Sequence, residues 1–151
     1  MTRTITLESP QEMQQFAQAL AARLRGGMIV RLIGELGSGK TTFTQAVAAA
    51  LGVTVPVPSP TFLIASEYKV SEHPSIRRLL HFDLYRLDQA AAATDPAVRD
   101  ALVIPPPPDA LVLIEWAEKL GTLLGAALTL TFRHGSGLQE RIIELDATLV
   151  P

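Results

Sequence analysis

Gly34, Gly39, Lys40 and Thr41 stand at the spacing GxxxxGK[ST] within Gly34-Glu35-Leu36-Gly37-Ser38-Gly39-Lys40-Thr41. Each type has a task if the ligand carries phosphates. Glycines let backbone N–H groups approach the oxygens, and the start of a following helix adds partial positive charge. A lysine reaches the outer phosphates, and a threonine hydroxyl ligates magnesium. A second signal is Glu115, which closes the apolar run Ala110-Leu111-Val112-Leu113-Ile114. A strand buried beside the phosphate-loop strand would present such a carboxylate at its C-terminal edge, facing the metal. Alone, the pattern also arises from helix capping or solubility; beside the glycine loop it reads as a metal carboxylate. Two more clusters look chemical: Ser59-Pro60-Thr61 and His81-Phe82-Asp83-Leu84-Tyr85-Arg86. Period-two alternation sends His81, Asp83 and Tyr85 to one strand face. That face is either a polar cleft wall or a solvated hairpin face.

These groups need elements to hold them. Met28-Ile29-Val30-Arg31-Leu32-Ile33 reads as a buried strand before the glycine loop, and Thr42 to Leu51 as a helix stopped by Gly52. Strand, loop, helix is the context the motif requires. Upstream, Thr4 to Leu7 alternates as a strand. Ser9-Pro10-Gln11-Glu12 then opens a helix with a cap, a first-turn proline and a capping box. Apolar spacing at Met13, Phe16, Ala17, Leu20 and Leu24 carries that helix to Gly26-Gly27. Beyond the proline-studded Val55 to Pro60 loop, Phe62 to Val70 and Arg77 to Tyr85 read as an antiparallel hairpin turning at Ser71 to Ser75. Asp88 to Leu102 is alanine-rich but broken at Asp95-Pro96, which predicts two short helices. Trp116 to Leu124 reads as a short helix. Leu128 to Phe132 and Gln139 to Leu145 flank a hairpin turn at His134-Gly135-Ser136-Gly137.

At 151 residues the chain is most simply one domain over its whole length, 1–151, large enough to bury about two-thirds of its unfolded surface. There is no cysteine, which removes disulfides, thiol catalysis and cysteine-ligated zinc, and favours a reducing compartment. Met1 to Leu7 is too short and polar for a secretory signal, and no run of about 18 apolar residues could span a bilayer. The expectation is a cytoplasmic protein with no membrane partner. A net charge of −2 gives no overall basic footprint, so any RNA role runs through a partner or a local patch.

Taken in order, GELGSGKTTF, SPTF, HFDLYRL and LIEW make the chain resemble the TsaE (YjeE) family, a P-loop ATPase of bacterial threonylcarbamoyladenosine synthesis on tRNA. The likeness runs from Leu7 to Leu145. It implies an α/β, P-loop NTPase-like three-layer domain with a mixed central sheet and an added antiparallel hairpin. It also implies ATP and ADP with Mg2+ as ligands, and hydrolysis that is weak alone and stimulated on the partners TsaB and TsaD. TsaD, not this chain, would transfer the threonylcarbamoyl group to adenosine in ANN-reading tRNAs, so tRNA is met only through the complex. Residue by residue, the resemblance places Leu36, Gly37, Ser38, Gly39, Lys40, Thr41 and Thr42 around the nucleotide and gives the metal to Thr41 and Glu115. Ser59 and Thr61 resemble a switch-like loop with a hydroxyl near the γ-phosphate. Asp83, with Lys40 and Thr61, falls among the catalytic positions. Because an ordinary carboxylate is a poor base at neutral pH, Asp83 is expected to orient the attacking water or a metal-bound water. Trp116 follows the metal carboxylate and is either close to the nucleotide or a core aromatic.

The chain departs from the family at Ala117, where a proline is common, and in Gln89 to Pro108, which lacks the usual acidic and glycine pattern. Leu138 follows Gly137 where an arginine is frequent, leaving Arg133 and Arg141 as candidates for that charge. A small-molecule P-loop kinase would share the phosphate and metal sites but needs an acceptor pocket and an arginine-rich lid, and no arginine cluster is visible. A GTPase would show NKxD and DxxG strings, and neither occurs. A nucleotide-dependent binding switch with negligible turnover stays open.

Overall fold

A computed structural model describes residues 2–58 and 64–146. Ser59, Thr61 and the start of the first hairpin strand at Phe62 lie outside the described residues. Seven strands form one mixed sheet: β1 Thr2–Leu7, β2 Ile29–Gly34, β3 Ala65–Lys69, β4 Arg78–Asp83, β5 Ala110–Glu115, β6 Leu128–His134 and β7 Arg141–Asp146, ordered β1-β7-β6-β2-β5-β4-β3. The inner strands β6, β2, β5 and β4 run parallel, and β3, β7 and β1 add antiparallel edges. Both expected hairpins form.

β5 is buried at every position, which is why its sequence is a continuous apolar run rather than an alternating one. Its side chains still alternate between two cores. Leu111 and Leu113 join Val30, Leu32 and the inner faces of α1 Pro10–Ala21 and α2 Lys40–Ala50. Val112 and Ile114 face α3 Gln89–Thr94, α4 Pro96–Ala101 and a 3₁₀ helix, Ala117–Leu120. Helices thus cover both faces of the sheet.

Two helix ends and one capping contact differ from the sequence reading. The first helix ends at Ala21, not at Gly26-Gly27. Arg23 and Leu24 continue in tighter turns onto Leu20 and Ala21, so the apolar spacing persists beyond the helix. Gly26 must pass against Pro108, whose carbonyl oxygen a Cβ would meet at 2.0 Å. The Ser9 hydroxyl caps the Glu12 N–H at 3.2 Å as expected, but the Glu12 carboxylate accepts from Glu8 N–H at 2.7 Å rather than from Ser9. After β5, only Ala117–Leu120 is helical: Trp116 precedes it in the left-handed region at φ 60°, and Gly121, at φ 55° and ψ −125°, ends it. The break at Asp95 is as read: its side chain caps the N–H groups of Ala97 and Val98, and Pro96 opens α4.

Candidate functional site

The parallel register sets the site. Leu32 pairs with Glu115 across β2 and β5, and Glu115 pairs with Asp83 across β5 and β4. The C-terminal ends of three adjacent strands therefore deliver the glycine loop, Glu115 and Asp83 to one sheet edge, where open α/β sheets bind ligands. The loop's glycines are required by space and conformation. A Cβ on Gly34 would lie 2.5 Å from the Phe132 carbonyl oxygen and 2.7 Å from Ser38 Oγ. Gly39, at φ 109°, is the N-cap of α2 and offers no side-chain cap. The first N–H groups of that helix are thus left to an incoming anion.

Lys40 is buried at the start of α2. Its Nζ donates to the carbonyls of Gly34 at 2.6 Å and Glu35 at 2.8 Å and lies 4.3 Å from the centre of the Trp116 ring. Burial pulls its pKa below the ordinary lysine value, against the opposite pull of Glu115, Glu118 and Asp83.

Glu115 is the hinge of the polar core. One oxygen accepts from Thr41 Oγ1 at 2.9 Å, and the other meets His81 Nε2 at 2.8 Å. Carboxylate and imidazole are both buried. Since a carboxylate only accepts, the imidazole hydrogen belongs on Nε2. His81 Nδ1 has no partner among the described residues, and a hydrogen there would be buried unpaired. His81 is therefore not on a solvated hairpin face: its side chain is fully buried against Glu115 of β5. The hydroxyl and carboxylate of Thr41 and Glu115 are hard oxygen donors and fit magnesium. No group of three or more His, Cys, Asp or Glu side chains gathers around a metal position among the described residues.

Asp83 ends β4, and its Oδ1 accepts from the Tyr85 N–H at 3.0 Å. The strand alternation stops there, so Tyr85 reaches the site from a turn. Its ring packs 5.2 Å from Trp116. Together with Leu36, Gly37, Gly39, Lys40, Thr41 and Thr42, the residues Asp83, Tyr85, Glu115 and Trp116 line a cavity of about 290 Å³. Ser38 is buried behind the loop instead. Trp116 lines the cavity and, half-buried, packs against the second core. Leu7, Ser9, Pro10 and Met13, with Leu138, Gln139 and Arg141, complete the lining. The sequence reading assigned the first four of these to the fold only. Of the two candidate arginines, Arg141 lines the cavity, whereas Arg133 pairs with Glu144 at 3.3 Å on an exposed strand face.

A family model described as "Threonylcarbamoyl adenosine biosynthesis protein TsaE" matches residues 7–143. The chain belongs to the TsaE family. Among proteins named "tRNA threonylcarbamoyladenosine biosynthesis protein TsaE", that of Mycobacterium tuberculosis is 31% identical over 147 residues, covering 97% of this chain and 83% of its own. The Streptomyces coelicolor relative is 38% identical over 109 residues, 70% of this chain and 68% of its own. The Aquifex aeolicus relative is 39% identical over 89 residues, and the match spans 64% of its length. A crystal structure of Bacillus subtilis YdiB superposes with a TM-score of 0.70 at 28% identity, over 96% of this chain and 84% of that one. The mixed sheet and the glycine loop are those of a P-loop NTPase-like fold. Among the described residues, no helix is long and apolar enough to cross a membrane.

Proposed function

We propose that this TsaE-family chain is a single-domain, magnesium-dependent ATPase of the cytoplasm that acts on TsaB and TsaD partners during threonylcarbamoyladenosine synthesis and meets tRNA only through them. The observation that carries this reading is the meeting of Lys40, the Thr41–Glu115 pair and Asp83 around one cavity at one sheet edge. Leu36 to Thr42 supply backbone N–H groups and the α2 N-terminus to the phosphates, and Lys40 adds a positive charge beside them. Thr41 and Glu115 hold magnesium, which when bound offsets charge on the phosphate oxygens. His81 fixes the Glu115 carboxylate so that its other oxygen faces Thr41. Asp83 orients the attacking water from the adjacent strand end, with Thr61 a further hydroxyl in this role. Trp116 and Tyr85 wall the site against bulk water. Arg141 adds a second cation beside Gly39. Threonylcarbamoyl transfer belongs to TsaD.

The test is ATP hydrolysis by the purified chain, alone and with TsaB, TsaD and tRNA, beside calorimetric titration of ATP. Hydrolysis is expected to rise in the complex, and Lys40→Ala is expected to lose ATP binding. Wild-type affinity in Lys40→Ala would remove the phosphate-loop assignment. Binding without turnover even in the full complex would leave a nucleotide-dependent switch.

A further inference from the structure

Lys119 lies outside the cavity, yet it is bonded to the elements that carry two of its walls. Its Nζ donates to the carbonyls of Leu84 at 3.0 Å, Tyr85 at 2.7 Å and Leu87 at 2.6 Å. An ammonium has three hydrogens, and here each has a carbonyl acceptor in one turn. That turn directly follows Asp83, and its Tyr85 N–H is the donor that holds Asp83 Oδ1. On its own side, the Lys119 backbone N–H donates to the Trp116 carbonyl at 3.1 Å, and the Trp116 N–H donates to Leu32 of the phosphate-loop strand at 3.1 Å. Trp116 is the one non-glycine residue at positive φ among the described residues, a backbone state that persists only when its surroundings enforce it. The Lys119 ammonium also lies 5.4 Å from the Trp116 ring and 5.8 Å from the Tyr85 ring.

We propose that Lys119 is a positioning residue that locks the Asp83–Tyr85 turn to Trp116, so that the carboxylate and the aromatic wall keep one geometry against Lys40; this rests on the ATP-hydrolysing reading of the cavity. Lys119 touches no reacting group and acts through its three carbonyls. The geometry selects an ammonium rather than positive charge in general, because a planar guanidinium cannot converge on three carbonyls from one nitrogen.

The experiment compares the full chain with Lys119→Met and Lys119→Arg. Trp116 is the single tryptophan, so acrylamide quenching of its fluorescence reads the wall without nucleotide, while kcat and KM for ATP in the TsaB–TsaD complex read Asp83. Thermal unfolding is recorded beside them. Both variants are expected to show raised quenching and a kcat lower by roughly ten- to a hundredfold, with KM changing less, up to the scale of a misplaced catalytic group. Wild-type quenching and kcat in both, whatever the change in Tm, would make Lys119 a stabilising bond only. Loss in Lys119→Met with full function in Lys119→Arg would overturn the three-carbonyl geometry in favour of charge alone. Should Lys119→Met fail to fold, Lys119→Arg decides between positioning and stability. If the wild-type complex does not hydrolyse ATP, the reading of the site fails, while the quenching comparison still decides whether Lys119 holds Trp116.

Discussion

At the start of β4, Arg78 meets Asp109 at 2.9 Å; three residues on, His81 meets Glu115 at 2.8 Å. The lengths match, but the side chains of the first pair are 37% and 44% exposed and those of the second 0% and 2%. Water competes for the first pair and screens it, so it ties the entry of β4 to the residue before β5 and contributes little else. In the second pair every partner matters, because a buried carboxylate stripped of a donor has no water to replace it. Glu115 is also shared with Thr41, so the same burial that makes the pair fragile places it in the site. One strand thus carries an exposed pair at one end and, at the other, a buried pair whose carboxylate lines the cavity.

The largest break in that contrast comes from Glu115→Ala, which leaves both His81 and Thr41 without their acceptor. Magnesium-dependent nucleotide binding should vanish while some metal-free binding survives, measured by calorimetry with ADP in the presence and absence of magnesium. Thr41→Ala should do the same. Unchanged magnesium affinity in both variants takes Glu115 out of the site. Next is Asp83→Asn, which keeps shape and removes charge beside the pair. Partner-stimulated single-turnover hydrolysis is expected to fall by on the order of a hundredfold with affinity nearly unchanged, the scale of a positioned catalytic group. Equal loss of binding and rate would assign Asp83 to the bound ground state instead.

His81→Leu is expected to cost about 1–3 kcal/mol in urea unfolding, the scale of a buried acceptor left unsatisfied, and to weaken magnesium-dependent binding. His81→Gln returns an N–H donor near the Nε2 position and should recover most of both. If leucine and glutamine behave alike, His81 is packing and not a donor.

How much of this contrast the sequence could show depends on how local each signal is. The glycine loop and Glu115 were legible because their patterns are contiguous and chemically constrained, and the two cores follow from the unbroken apolar run of β5. The burial of His81 was not, since alternation assigns a face but cannot say what covers it. Trp116 entering the left-handed region, which moves the start of the expected helix to Ala117, has no composition cue in a residue that is not glycine. The wall formed by Ser9, Pro10 and Met13 is brought to Gly39 by the packing of α1 on α2, where Met13 Cε would lie 3.3 Å from a Cβ at Gly39. Neither segment announces that contact. Arg133 and Arg141 are equivalent in sequence and separated only by the β6–β7 register, which sets Arg133 opposite Ile142 and Arg141 opposite His134.

The smallest expected effect is at the exposed end, and its sign is fixed by the direction of one pKa. The Arg78 guanidinium, hydrogen-bonded to both Asp109 oxygens at 2.9 and 3.2 Å, holds the Asp109 carboxyl below the usual carboxylate range. A carboxyl depressed by folding binds fewer protons in the native state than in the unfolded one. It therefore contributes stability above its unfolded pKa of about 3.9, and loses it as pH falls through the folded value. Arg78 itself is raised by the same bond, which matters only at alkaline extremes. Asp109→Asn should thus be slightly less stable than wild type near pH 7, with the gap closing in acid. Because the pair is exposed, the gap should also shrink as salt is raised. Urea unfolding of both proteins at neutral and acidic pH, in low and high salt, reads this directly. A gap as large as that of His81→Leu, or one indifferent to salt, would mean that exposure does not separate the two pairs.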